Sequence, residues 1–223
     1  MKALVFDLDG TLVDTKYDML DAGNLVFESL GWETRLEGFN GLQTAIQGGR
    51  AILRYGLQED GIKFNDELLQ DYYQLYLSNY DKVLDNKSCN YDGVVDTLTQ
   101  LHLMGVKLGL CTNKPEKHAR ELLKRLGLID FFRDSFVGSD TVGIAKPDPK
   151  PLLEAICRLD KKPEEVFFVG DTNTDEDAAN NANVDFIFCD YGHGSMYKLA
   201  EGESATLKIK TFSDLISIYE DKS

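Results

Sequence analysis

The sequence predicts an α/β protein: a doubly wound parallel sheet with a helical domain inserted after its first strand. Three observations carry this reading. Short apolar runs without polar alternation occur at 3–6, 106–111, 166–169 and 186–189, as expected of strands covered on both faces in a parallel sheet. Amphipathic helical patterns lie between them, giving the strand–helix alternation of a doubly wound domain. The first connection, from Asp9 to Val106, is far longer than the roughly 10–15 residues that a simple crossover helix needs.

In chain order, Ala3-Leu4-Val5-Phe6 is the first strand. Residues 16–82 are then rich in helical pattern, with Leu20, Phe27 and Leu30 ahead of Gly31, and Leu69, Tyr72, Tyr73, Tyr76 and Tyr80 further on. The tyrosine stripe is read as internal packing of the insert rather than a ligand surface. The expected domains are a core of 1–15 with 83–223, and a helical insert of 16–82. Val94, Val95, Leu98 and Leu101 mark a helix that stops at Gly105. Pro115 opens the next, whose Leu122, Leu123 and Leu126 precede a stop at Gly127.

The chain has 223 residues, with 38 acidic against 24 basic side chains and a formal net charge of -14. That field repels nucleic acid and anionic membranes, so neither is expected as a partner. A phosphorylated small molecule would be repelled too, unless a metal ion and a few basic groups draw it in locally. Three of the four cysteines (Cys89, Cys111, Cys157, Cys189) sit in apolar stretches, which suggests buried thiols rather than disulfides or zinc ligands. No stretch is long and apolar enough to span a bilayer, and the N-terminus lacks a signal-peptide cleavage pattern. A reducing cytoplasm is the expected location.

Parallel sheets bind ligands at the carboxyl ends of their strands. Here those ends carry Asp7-Leu8-Asp9-Gly10-Thr11, then Thr112-Asn113, then Lys146-Pro147-Asp148-Pro149 after Phe136-Val137, then Gly170-Asp171-Thr172-Asn173-Thr174-Asp175. Four converging carboxylates would repel one another without a cation. Oxygen ligands with no histidine or cysteine close by point to a hard ion, magnesium above all. Thr112 and Lys146 add a hydrogen-bond donor and a positive charge, the groups that hold phosphate oxygens in phosphoryl transfer. Asp7 and Asp9, two apart, can face one phosphorus if the chain turns after Leu8. One can then attack while the other handles the proton of the leaving oxygen. Each Asp also has a plainer reading as a helix cap or turn former, above all Asp175, which stands where a helix begins.

Asp7-Leu8-Asp9-Gly10-Thr11-Leu12-Val13-Asp14-Thr15 resembles the first motif of the haloacid dehalogenase superfamily. Thr112, Lys146 with Pro147-Asp148-Pro149, and Gly170-Asp171 with Asp175 match its second, third and fourth motifs in order. The resemblance implies a magnesium-dependent enzyme in which Asp7 attacks phosphorus and ligates the metal. Asp9 would be general acid and then general base, its carbonyl also binding magnesium. Asp171 would be the second metal carboxylate, and Asp175 would order the metal site directly or through water. Thr112 and Lys146 would hold the phosphate, and Lys146 would also restrain Asp7. The helical insert lies where the family carries its cap domain.

Asp9 also narrows the choice, because dehalogenases and phosphonoacetaldehyde hydrolases of the superfamily differ at that position. The expected activity is hydrolysis of a small phosphomonoester. The length, the small cap and Asp190-Tyr191-Gly192-His193-Gly194 resemble phosphoglycolate phosphatases, although that segment departs from their frequent Trp-Gly-Tyr-Gly. Thr112, Asn113, Lys146 and, from Gln47-Gly48-Gly49-Arg50 in the insert, Arg50 are the candidate substrate-binding residues; an exposed arginine opening a helix is the plainer reading of the last. His102 and His118 are expected at the surface or its boundary, and His193 is a candidate for the active-site rim. A β-phosphoglucomutase-like mutase shares every core motif. A receiver-like phospho-switch shares the acid cluster, the threonine and the lysine.

Overall fold

The structure, a computed structural model, describes residues 2–133, 135–193 and 207–222. Its elements in chain order are β1 (Ala3–Phe6), β2 (Val13–Asp14), α1 (Lys16–Ser29), α2 (Gly38–Ala45), α3 (Gly49–Glu59), α4 (Asp66–Val83) and β3 (Cys89–Asn90). There follow α5 (Val94–Leu103), β4 (Leu108–Cys111), α6 (Glu116–Arg125), β5 (Phe136–Val137), α7 (Lys150–Arg158), β6 (Val166–Gly170) and α8 (Asn173–Ala182). The last are β7 (Asp185–Cys189), β8 (Leu207–Ile209) and α9 (Asp214–Lys222). The described residues divide into two compact units, Met1–Asp14 with Asn90–Ser223, and Thr15–Cys89.

The first unit is the α/β domain. Its six strands run in the order β5-β4-β1-β6-β7-β8, every adjacent pair parallel. The register sets Phe6 opposite both Leu110 and Val169, so β1, β4 and β6 end level with one another. Chain order reverses at β1: β4 and β5 lie to one side, β6 to β8 to the other. That reversal opens the crevice in which such sheets bind ligands. Leu4, Val5, Phe6, Leu110, Phe168 and Val169 are fully buried, as continuous apolar strands require.

Some sequence expectations change in detail. The run at 106–111 yields a strand only from Leu108, because the Val106 N–H closes the end of α5 on the Leu101 carbonyl (3.0 Å). Val95 is 45% exposed, since α5 buries Val94, Thr97, Leu98 and Leu101 instead. His118 is buried rather than superficial: it lies on the inward face of α6 with Ala119, Leu122 and Leu123. All four cysteines are free; Cys111 and Cys189 are buried, but Cys89 and Cys157 are exposed. Cys157 turns outward because α7 buries Leu152, Ala155 and Ile156 on the opposite face. Among the described residues no helix is long and apolar enough to cross a membrane.

The second unit is built from α1 to α4. Its core includes Val26, Phe27, Ile52, Leu53, Leu57 and Leu69. The tyrosine stripe of α4 is internal packing at Tyr76 and Tyr80, both buried, with stacked rings 6.0 Å apart. Gly49 opens α3 against the Tyr76 ring, where a Cβ would lie 2.4 Å from Cε1. Asp18 ties Lys87 and Ser88 into this unit. Its buried carboxylate accepts from the Lys87 N–H (3.0 Å), the Ser88 N–H (2.7 Å) and the Ser88 hydroxyl (2.7 Å).

Deleting a buried acceptor strands its donors. Asp18→Ala is expected to destabilise the protein by about 2–4 kcal/mol, read as a lower urea midpoint at unchanged slope. An unchanged midpoint would show that Asp18 does not anchor the return of the chain.

Candidate active site

The site belongs wholly to the α/β unit and begins one residue beyond its strands. Asp7 follows β1, Thr112 follows β4 and Asp171 follows β6. Two backbone bonds fix these exits: the Asp7 N–H donates to Val169 O and the Thr112 N–H to Val137 O, each at 2.9 Å. After Asp7 the chain curls tightly. The Thr11, Leu12 and Val13 N–H groups all donate to the Leu8 carbonyl at 3.0–3.3 Å, and the Gly10 N–H donates to Val13 O at 2.9 Å. Gly10 is required here. Its φ is +92°, and a Cβ would stand 2.2 Å from Asp171 Oδ2 and 2.7 Å from His193 Cβ.

Lys146 is the centre of the cluster. Its ammonium donates to Asp7 Oδ1 (2.8 Å), Asp175 Oδ1 (2.6 Å) and the Cys111 carbonyl (2.9 Å), with its side chain only 2% exposed. Burial alone would lower its pKa, but the Asp175 and Asp7 carboxylates outweigh that and raise it. Burial pushes the Asp7 carboxyl up to about 7 against the pull of Lys146, with Asp175 adding to the rise. Asp171, fully buried, is raised well above the usual carboxylate range by burial and then by its neighbours Asp175 and Asp7.

Asp175 serves two purposes. Its Oδ2 accepts from the Thr172 N–H (3.1 Å) and hydroxyl (2.6 Å), while the Asp175 N–H bonds back to Thr172 Oγ1 (3.3 Å). This caps α8, as the plainer reading expected, and the same carboxylate holds Lys146 through its other oxygen. Gly170 makes room for it: a Cβ there would fall 2.6 Å from Asp175 Cβ.

A divalent cation fits this arrangement. Asp7, Asp171 and Asp175 are buried, each presenting a carboxylate oxygen within 4.8 Å of the others. Asp171 Oδ1 accepts from the Thr11 hydroxyl (2.9 Å), whereas its buried Oδ2 has no hydrogen-bond partner among the described residues. With Asp9, four carboxylates face the two ammonium groups of Lys146 and Lys114, a formal excess of two negative charges when all are ionised. The all-oxygen donor set is that of a hard ion.

The remaining candidates take other positions. Asp9 meets the Lys114 ammonium at 3.0 Å and is not among the three clustered carboxylates. Asn113 brackets the lysine loop, its amide donating to Lys146 O (3.0 Å) and its Oδ1 accepting from the Lys146 N–H (2.9 Å). Arg50, exposed in the helical unit, bonds Gln70 Oε1 at 2.7 Å and lies 4.2 Å above the Tyr73 ring. His193 is buried, with Nε2 3.4 Å from Asp14 Oδ1; Gly194 lies outside the described residues. Sequence reasoning gave no individual role to Thr11, to Lys114 or to Tyr191, whose hydroxyl donates to Thr11 O at 2.8 Å. Lys114 stands directly after Thr112-Asn113 and was open to detection as a second cation beside the acids.

The sequence profile of the haloacid dehalogenase-like hydrolases matches residues 1–183. Phosphoglycolate phosphatase 1 of Pseudomonas aeruginosa is 35% identical over 225 residues, covering 96% of this chain and 78% of that protein. The phosphoglycolate phosphatase of Nitrosospira multiformis is 36% identical over 196 residues, covering 86% and 85%. In fold the chain resembles CbbY from Rhodobacter sphaeroides, solved in complex with phosphate, with a TM-score of 0.80, 21% identity and 96% of each chain covered. The chain belongs to the haloacid dehalogenase-like hydrolase family, as an enzyme of its phosphatase kind.

Proposed function

We propose that this enzyme is a magnesium-dependent phosphomonoester hydrolase working through a phosphorylated Asp7, on a small phosphoglycolate-like metabolite. The observation that carries the reading is the buried cluster in which Lys146 joins Asp7 to Asp175 beside Asp171. A purely structural ion-pair network would have little reason to keep, at the mouth of a parallel sheet, a carboxylate oxygen unpartnered among the described residues. The relatives named phosphoglycolate phosphatase supply the substrate class.

Lys146 holds one oxygen of Asp7 and so turns the carboxylate for in-line attack by the other. As the bond from Asp7 to phosphorus forms, the bond to the leaving oxygen breaks and Asp9 gives that oxygen its proton. Asp9 then takes a proton from water, which attacks phosphorus and releases phosphate with Asp7 restored. Thr112 would hold a phosphoryl oxygen, Lys146 would join it by exchanging one of the three bonds its ammonium makes, and Asn113 contributes by fixing the Lys146 backbone. Asp7, Asp171 and the Asp9 carbonyl would hold magnesium, with Asp175 ordering them; the ion would supply positive charge for the phosphoryl group. The helical unit Thr15–Cys89 takes the part of the family's cap.

The reading is tested by phosphate release from a panel of small phosphomonoesters, 2-phosphoglycolate among them. Release should need magnesium, stop with EDTA, and fall on the order of 10³-fold or more in Asp7→Asn. Isomerisation of β-glucose 1-phosphate with a trace of bisphosphate, without net phosphate release, would replace hydrolase with mutase. Membership of a hydrolase family leaves the receiver-like switch without support.

Arg50 remains a candidate anchor for a carboxylate or second phosphate of the substrate. Arg50→Ala should then raise KM about tenfold on such esters, and unchanged kinetics on every good substrate would discard the role.

A further inference from the structure

We propose that Lys114 is a positioning residue for Asp9, fixing the carboxylate that serves the leaving group; the inference rests on the acid–base reading of Asp9 given above. Lysine is almost never buried unless it is paired, yet the Lys114 side chain is only 5% exposed, and its ammonium stands 3.0 Å from Asp9 Oδ1. Asp9 itself is more open, its side chain 21% exposed. The turn after Leu8 fixes its backbone, and the ion pair with Lys114 adds a constraint on its side chain. The ammonium selects one orientation. General acid catalysis depends on that selection, because the acid must stay within hydrogen-bond reach of the leaving oxygen.

The lysine is itself held from both sides. Its N–H donates to Thr112 Oγ1 at 3.2 Å, and its carbonyl accepts from the Ser139 N–H at 3.1 Å. Pro115, with φ fixed at -55°, follows and leads into α6. The side chain therefore extends toward Asp9 from a rigid base. Two consecutive residues after Thr112 thus govern two lysine–aspartate pairs. Asn113 holds the backbone of the lysine on Asp7, and Lys114 reaches Asp9 directly. The two acids of the Asp-x-Asp pair are held by different cations, which keeps attack and proton transfer on separate carboxylates.

The test compares leaving groups. p-Nitrophenolate departs with little need of a proton, whereas an alkoxide needs one. On the fastest alkyl phosphate of the panel, Lys114→Met should lower kcat/KM, which covers the steps only up to departure of the leaving group, by about ten- to a hundredfold, against less than about threefold on p-nitrophenyl phosphate. Lys114→Arg should restore most of the loss, and Asp9→Asn should show the same selectivity more strongly. If Lys114→Met folds poorly by thermal unfolding, Lys114→Gln is compared in its place. Equal losses on both esters, or none, with Asp9→Asn still selective, would discard Lys114 alone. Equal losses in Asp9→Asn would discard the acid–base reading of Asp9 and the Lys114 inference with it.

Discussion

The site rests on one buried ammonium. Three carboxylates, from Asp7, Asp171 and Asp175, stand side by side out of solvent, an arrangement whose self-repulsion and desolvation would cost several kcal/mol per ion if left unpaired. Lys146 makes it tenable by bonding two of them and a backbone carbonyl at once. Its own charge is thereby locked on, since both carboxylates favour the protonated amine. What the lysine leaves unbalanced is as informative as what it balances. Asp171 lies outside its hydrogen bonds and keeps an oxygen without a partner among the described residues, so the cluster is complete as a scaffold yet short of positive charge as a site.

The fold exists around that constraint. Parallel pairing brings β1, β4 and β6 to an end at one level, and the next residue of each is an acid, a hydroxyl or an acid. The groups that complete the site arrive from loops, and each loop is tied down. The Asn113 amide clasps the lysine loop, Thr172 clasps Asp175, and the Leu8 carbonyl gathers the Asp9 turn. Preorganisation of this kind places charge before the substrate arrives, which is how electrostatic catalysis avoids reorganisation during the reaction.

Much of this was legible in the residues themselves. Continuous apolar runs marked β1, β4, β6 and β7, since strands buried on both faces tolerate few polar side chains. The positions of Asp7, Thr112 and Asp171 were legible because each directly follows a strand, and that of Lys146 because it lies in the loop between β5 and α7. Pairings were not. Nothing in the chain says that Asn113 turns back to Lys146 or that Thr11 reaches Asp171, because partners 33 and 160 residues apart are set by topology. His118 was misread because its ring faces inward from a helix of otherwise polar aspect. Cys157 was misread for the converse reason, an apolar neighbourhood along the chain but the outer face of α7.

The central claim is that Asp7 carries the phosphoryl group during turnover. Acid quenching with substrate and magnesium, followed by borohydride reduction and peptide mass spectrometry, reads it directly, because an acyl phosphate is reduced to the alcohol and a free carboxylate is not. The account predicts homoserine at position 7, dependent on substrate and absent from Asp7→Asn. An unreduced Asp7 in a rapidly quenched, actively turning-over sample, or homoserine at another acid, would contradict it.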